Sequence, residues 1–407
     1  VYPEGHFEAR QTTRSFFARM TTGSTSARPS RRVNWPTTLF LFITPPVAIS
    51  GTVWWVASGQ FNRATLALFF LTWAATAMGI TGGYHRLFSH RAYEASGPLR
   101  MLFLLGGGAA WEGSVLEWCR DHRRHHRFVD TERDPYNIGQ GFWWAHMLWL
   151  VFNRREPVNP EEVPDLYADR WIRLQHRYYV WIAIGTSFLL PIALCALWGD
   201  LWGGLFVATT LRIVVNHHAT FLINSLSHIA GSQPYSDSHS ARDNWFTALL
   251  TYGEGYHNYH HEFPSDYRNG IRPWQWDPTK WLIWSCSRLS LAHSLRRVDP
   301  EKITAKRLEM QEKHLAERLR RFPGALTGVA QQTLGAAREQ VHQSVERLVQ
   351  LRAQYQRLKH DLRSGTTAEL HRQVAELHGR VHHAEHDLAT TMATWQSAVR
   401  GITRTAA

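Results

Sequence analysis

Cysteine is nearly missing from this chain: only Cys119, Cys195 and Cys286 occur in 407 residues. Three scattered thiols give no disulfide framework, and without a CxxC pair no thiolate metal site is expected. Acidic residues are also short, 33 against 45 lysines and arginines, for a formal net charge of +12. That surplus does not mark a nucleic-acid binder, because the basic residues are dispersed among loops and the tail and form no recognised binding motif. The first 36 residues lack an apolar run followed by a cleavage site. Rich in Ser, Thr and Arg, they read as a disordered cytoplasmic lead-in, not a signal peptide. Tryptophan runs out late: of 19, only Trp395 lies in the last hundred positions. A mean hydropathy of −0.33 therefore averages two unlike parts.

What the first part does have is apolar length. Residues 37–57, 64–83 and 178–198 each match the roughly 20 residues that cross hydrocarbon. A fourth span, taken as about 201–220, can run on past Asn216 as a long helix. Pro45 and Pro46 are expected to kink the first span, which a bundle tolerates. The run at 101–111 is apolar but short, so it reads as re-entrant or interfacial. Trp54, Trp55, Trp198 and Trp202 fall at span ends on one side, where an aromatic belt belongs. The connectors SGQFNR and GD carry one Arg between them, whereas 1–36, 84–177 and 217–407 are rich in Arg and Lys. Positive residues favour the inside, which puts both termini in the cytoplasm.

Histidine is the second abundance. Nine of 24 fall into four groups: His85 and His90 in HRLFSH; His122, His125 and His126 in HRRHH; His228 in NSLSH; His257, His260 and His261 in HNYHH. Neutral imidazole is the commonest nitrogen ligand for first-row metals, and a single zinc takes three or four protein ligands. Nine imidazoles suit two metals. The i, i+3, i+4 spacing in two groups puts three imidazoles on one helix face, and with four spans all nine land on the cytoplasmic side. The expected fold is an all-α integral-membrane protein, four transmembrane helices under a cytoplasmic helical cap that holds a dinuclear site. His217 and His218 read as interfacial. Asn224, one turn before His228, reads either as holding a metal-bound water or as a helix–helix hydrogen bond.

From about residue 300 the pattern changes. Leu334, Val341, Leu348, Tyr355 and Leu362 recur every seven residues, and after Ser364-Gly365 a second series runs through Leu370, Leu377 and Ala384. Two amphipathic helices joined by a turn are expected, a hairpin or coiled coil suited to packing on the enzyme domain or to self-association. Phe322-Pro323-Gly324 marks a break before them. The domains are thus 1–36, 37–300 and 301–407. His382, His383 and His386 copy the local spacing of the metal groups but sit in a charged heptad region, and they read as solvated.

HRLFSH, HRRHH and GEGYHNYHH resemble the three histidine boxes of integral-membrane acyl-CoA Δ9-desaturases, the stearoyl-CoA desaturase type. NSLSH is similar to that family's additional ligand segment, and the likeness covers about 37–290, including EWxRDH and RDPYN. The run DYRNGIRPWQWDPTKWLIW looks like the bacterial branch, whose location would be the inner membrane. The resemblance implies a centre of two Fe ions held by the nine histidines, with Asn224 on a bound water and O2 as co-substrate. It implies a bent tunnel for a long-chain acyl-CoA shaped by Glu112, Trp118 and Thr220 and closed at its methyl end by Trp73 and Ala77. It places the CoA headgroup against Arg120, Asp121, Arg154 and Arg155. Glu112 departs from the family's usual Gln, and Gly113 from a headgroup-binding Asn.

The implied reaction makes a cis double bond with O2 and two electrons. No cytochrome b5-like HPGG segment occurs in the sequence, so a separate ferredoxin or cytochrome b5-like donor is expected. The basic residues Arg120, Arg123, Arg124 and Arg127 offer it a docking face. Rival readings are an acyl-lipid desaturase or hydroxylase with the same centre and, more remotely, a non-catalytic membrane scaffold.

Overall fold

The computed structural model describes residues 32–152, 157–321, 328–364 and 368–405, and these are predominantly helical. Helix α1 (Trp35–Ala57) starts on Asn34, whose side chain accepts the Thr37 N–H, and it carries Pro45 and Pro46 inside it. Helix α2 (Arg63–Ser89) starts on Asn62, which accepts the Ala64 and Thr65 N–H groups. Both are side-chain caps that satisfy first-turn donors. Then come α3 (Gly97–Gly108), α4 (Val115–Phe128) and α5 (Arg170–Arg177). Helices α6 (Tyr179–Ala196) and α7 (Leu201–Ile229) complete a set of four long and apolar enough to cross a membrane.

Two of these four are longer than a bilayer needs. Helix α2 has 27 residues and α7 has 29, so at 1.5 Å per residue they extend about 40 and 44 Å against a hydrocarbon core of about 30 Å. The excess leaves turns that hydrocarbon does not need, and the C-terminal ends of the two helices carry His85 and His228. The outward faces of the spans expose Phe42, Val53, Leu71, Trp181 and Leu189, apolar surface that belongs against lipid.

The aromatic belt is half of what the sequence suggested. Trp54 and Trp202 are exposed, but Trp55 is buried and donates from Nε1 to Asp200 at 3.0 Å. Trp198 also turns inward, donating to Thr65 at 2.9 Å. The cause is Asp200, the last residue of the four-residue α6–α7 connector. Its carboxylate also accepts the Gly203 N–H at 2.8 Å and the Thr65 hydroxyl, and so ties three spans together.

The short α3 is too brief to span, as expected, and its backbone lies directly on α2. A Cβ on Gly79 would stand 2.3 Å from the Gly107 nitrogen, and one on Gly107 would stand 2.3 Å from the Tyr84 ring. Only glycine permits that approach. Beyond the spans, Tyr84, Phe88, Leu116, Ile172 and Ile283 join α2, α4, α5 and α10 (Pro278–Arg288) in one buried cluster. A two-stranded antiparallel sheet, β1 (Glu94–Ala95) with β2 (Ala292–His293), ties the ends of this cap in the register Glu94 to His293.

The tail differs from the expected hairpin. Helices α12 (Gly328–Ser364) and α13 (Ala368–Thr405) form as predicted, but a third, α11 (Pro300–Arg321), packs with them. Leu308 and Leu315 of α11 share a core with Val341, Leu348, Val381, Leu388 and Trp395. The charged surface of α11 hides its seven-residue Leu308–Leu315 repeat, too short a signal to read alone. Its first turn belongs to the cap as well, because Ile303 packs on Tyr235 and Tyr259.

Candidate metal centre and substrate cavity

The last eleven residues of α2, Gly79–Ser89, wind as a π-helix, and this explains a spacing that α-helical geometry cannot. Five residues along an α-helix leave His85 and His90 about 140° apart. The wider turn closes an i→i+5 bond, His90 N–H to His85 C=O at 3.1 Å, and brings the two rings to 4.8 Å. π-turns of this kind recur at functional sites. Helix α4 carries His122, His125 and His126 and begins at a capping box in which Ser114 and Glu117 satisfy each other's backbone donors. The third trio is on a short helix, α9 (His257–Glu262), and His228 ends α7.

All nine predicted histidines converge, in two sets. His85, His90, His122, His126 and His260 form the inner set; His125, His228, His257 and His261 form the outer one. Within each set one donor atom per residue lies within 4.8 Å of all the others. Nε2–Nε2 separations are 2.9 Å for His85–His260, 2.8 Å for His90–His122 and 3.0 Å for His126–His260 in the inner set. They are 3.2 Å for His125–His261 and 3.1 Å for both His228–His257 and His257–His261 in the outer one.

Several of the opposite ring nitrogens are anchored. His85 Nδ1 meets Glu254 at 2.8 Å, His125 Nδ1 meets Asp134 at 2.9 Å and His228 Nδ1 meets the Ser240 hydroxyl at 2.6 Å. Such partners fix the tautomer that leaves Nε2 free to ligate. Glu254 is itself gripped by Arg86 at 2.8 Å, which also bonds Asp277 at 3.0 Å. Burial opposes the Glu254 carboxylate, but His85 and Arg86 outweigh it and bring its pKa down to about 2. Glu254 and Asp134 lie inside the quoted GEGYHNYHH and RDPYN runs, yet their orienting contacts were not legible there. Ser240 gave no sequence signal.

The donor set fits metal. Burial first, and neighbouring imidazoles second, hold His90, His122, His126, His257, His260 and His261 well below the ordinary histidine pKa, so these rings are neutral with a lone pair to give. His257 and His260 each aim one Nε2 at two others. A neutral ring nitrogen carries at most one proton, so hydrogen bonds alone cannot reconcile so many converging lone pairs. A cation in each set can. No thiolate takes part, and all-imidazole sites suit Zn, Cu, Fe or Ni by chemistry alone.

A cavity of about 360 Å³ adjoins the centre. Its lining includes His85, His122, His125 and His257, the predicted Trp73, Ala77, Glu112, Trp118, Thr220 and Asn224, and Arg120 with Asp121. It thus extends from the cap, where Arg120 and Asp121 pair at 2.8 Å, to Trp73, about three turns before His85 on α2. Trp118 stacks on His122 with centroids 4.9 Å apart and donates from Nε1 to Glu112 at 3.1 Å. The other Glu112 oxygen accepts from Asn216 and Thr220, each at 2.8 Å. Burial without a paired cation pushes the Glu112 pKa up to about 7, although its three donors pull the other way.

Arg154 and Arg155 lie outside the described residues. The arginines expected to dock an electron donor are largely paired within the chain: Arg120 with Asp121, Arg123 with Asp165 at 2.7 Å and Arg124 with Glu162 at 2.5 Å. That face carries little uncompensated charge. His217 donates to or faces the Ala110 carbonyl at 3.0 Å, and His218 meets His146 at 3.1 Å; neither belongs to a metal set. His382, His383 and His386 are exposed on α13, as read from the sequence.

A family model described as fatty acid desaturase matches residues 62–287. The "Probable acyl-CoA desaturase" of Schizosaccharomyces pombe is 44% identical over 293 residues, 71% of this chain and 60% of its own. "Acyl-CoA desaturase 1" of Saccharomyces cerevisiae is 42% identical over 245 residues, 60% of this chain and 48% of its own. Human "Stearoyl-CoA desaturase 5" is 36% identical over 249 residues, 60% of this chain and 76% of its own. The alignment thus spans about half to three-fifths of the two fungal relatives. Two converging histidine sets beside a cavity that reaches from the cap to Trp73, and a match over more than half of the chain, lead to one conclusion: this protein belongs to the fatty acid desaturase family.

Proposed function

We propose that the protein is a membrane acyl-CoA desaturase that places a cis double bond, at the Δ9 position, in a long-chain saturated acyl chain. One observation carries the reading: a single cavity joins Arg120 and Asp121 at the cap to Trp73 and Ala77 in the span and passes both histidine sets. An amphiphile with a polar head and a long tail matches that shape, and the relatives are named for acyl-CoA and stearoyl-CoA.

The net reaction takes one hydrogen from each of two adjacent methylenes. Those two hydrogens, O2, two electrons and two protons become two waters. Iron in the two nitrogen sets would supply the oxidant needed for an unactivated methylene, chemistry that belongs to a cofactor and that redox-inert zinc lacks. The protein's part is placement. Trp118, fixed between His122 and Glu112, walls the cavity beside the centre, and Thr220 shares the Glu112 anchor. Together they set the bend that selects the carbon pair. Trp73 and Ala77 stop the methyl end, which sets how far the chain reaches past the metals. The apolar lining keeps water from the oxidant.

We assign catalysis to residues 37–300 and an accessory role to 301–407. We place both termini and the centre on the cytoplasmic side, of a bacterial inner membrane, on the strength of basic-residue bias and the 266–284 run. A separate ferredoxin or cytochrome b5-like protein is the proposed donor. The test is expression in a desaturase-deficient host followed by lipid mass spectrometry with double-bond location. Δ9-unsaturated chains, dependent on acyl-CoA supply, are expected. A hydroxylated chain, or unsaturation made directly on phospholipid, would replace this reading with its nearest rivals.

A further inference from the structure

Trp73 stands at the end of the cavity remote from the cap, yet no hydrogen bond fixes its ring: Nε1 meets no partner among the described residues. Packing therefore decides where the indole points. Phe69 and Phe70, with centroids 6.2 and 6.4 Å away, lie on the same helix. Tyr252 comes from elsewhere in the chain. Its ring meets that of Trp73 edge-on, at 5.8 Å and 82°. It sits in the turn after α8 (Trp245–Leu250) and directly follows Leu250 and Thr251, which line the cavity.

That turn presents the tyrosine in an uncommon conformation. Tyr252 has φ of +56° and Gly253 of +108°. A bulky aromatic residue keeps a left-handed backbone only where its surroundings over-determine it. Here they do. Thr279 of α10 donates its hydroxyl to the Tyr252 carbonyl at 3.0 Å, and the same hydroxyl lies 2.7 Å from that of Thr81 on α2. Gly253 donates to the Ala248 carbonyl at 2.9 Å, and a Cβ on it would stand 2.6 Å from the Asp277 carboxylate. The next residue, Glu254, meets His85 Nδ1 at 2.8 Å. Residues 252–254 thus touch α2 twice, at His85 in the metal centre and at Trp73 where the cavity ends.

We infer that Tyr252 helps to determine chain-length specificity: its ring holds Trp73 across the end of the cavity and so sets how long an acyl chain fits beyond the metals. This rests on the desaturase reading above. Tyr252 is not among the cavity-lining residues; it acts through Trp73, as a positioning residue. The bend beside Trp118 and the stop at Trp73 are then separate devices. Chain length should change without any change in double-bond position.

The test supplies a desaturase-deficient host, expressing the full chain, with saturated fatty acids of graded length. Product length and double-bond position are read by mass spectrometry. Tyr252→Gly removes the ring and suits a positive φ, so the turn is kept. It should raise the share of product two carbons longer than the preferred one at least about tenfold, with the double bond at the same distance from the carboxyl end. Tyr252→Asn, whose short side chain also tolerates this backbone, should repeat that result. Tyr252→Phe, which keeps the ring, should keep the length profile of the unaltered protein.

An unchanged profile in an active Gly or Asn variant would overturn the inference, as would a Phe profile like that of Gly. A moved double bond would overturn it as well, because the residue would then act at the metal centre. So would loss of product and metal in both small variants, since the turn would then serve Glu254 and His85 alone. No unsaturated product from the unaltered protein would instead sink the desaturase reading, and this inference with it.

Discussion

The trio His257, His260 and His261 and the trio His382, His383 and His386 have nearly the same local spacing, each on a helix, in opposite circumstances. The first is packed among six other imidazoles. The second faces solvent along a charged helix. A histidine pattern brings side chains to one face of one helix and nothing more. A metal set needs donors from other elements, and here three further segments supply them to α9: the π-wound end of α2, the last two turns of α4 and the C-terminal end of α7. Burial completes the difference, because it keeps the imidazoles neutral at ordinary pH.

The sharpest way to break the comparison is to remove a member of each trio. His257→Ala should abolish product formation, a loss of more than about 100-fold, with loss of metal from the outer set. Triple replacement of His382, His383 and His386 by Ala should leave product and metal content unchanged within error. Equal effects would mean that burial does not distinguish the trios.

Glu254→Gln comes next in size. It leaves His85 Nδ1 with a neutral partner and Arg86 without its closest carboxylate, and metal affinity of the inner set should fall by about 10–100-fold. Metal retention during dialysis checks this. An unchanged inner set would mean that ring orientation comes from packing alone.

The smallest effect concerns Glu112, a buried acid with donors but no cation. Its folded pKa of about 7 lies above the ordinary carboxyl value of 4.5. Its contribution is therefore undiminished below about pH 4.5 and lost as pH rises through 7. At pH 8 the ionised group should cost on the order of 3 kcal/mol. Glu112→Gln removes that titration. The variant's melting temperature, relative to the unaltered protein, should rise by several degrees from pH 5 to pH 8; a difference independent of pH would count against the buried charge.

Much of this was legible in residues alone. Apolar runs of about 20 residues located four spans, because lipid cannot satisfy an open backbone and so forces helices of a set length. Histidine density in four short motifs named all nine members of the two sets. Periodicity found α12 and α13, whose stripes are long enough to stand out, but not α11, whose seven-residue repeat is brief and highly charged. Trp55 and Trp198 read as belt residues until Asp200 turned them inward, a contact across three spans that no local pattern encodes.

What the sequence determined by itself was therefore chemical: which segments leave water, and which side chains have lone pairs to offer. What only the tertiary structure decided was partnership. The π-turn that pairs His85 with His90, the division of nine imidazoles into five and four, the anchors Glu254, Asp134 and Ser240, and the approach of Tyr252 to Trp73 all depend on distances between elements far apart in the chain. Hydrogen bonding and ligation fade within an ångström or two, and sequence spacing does not resolve distances of that size beyond a single helix.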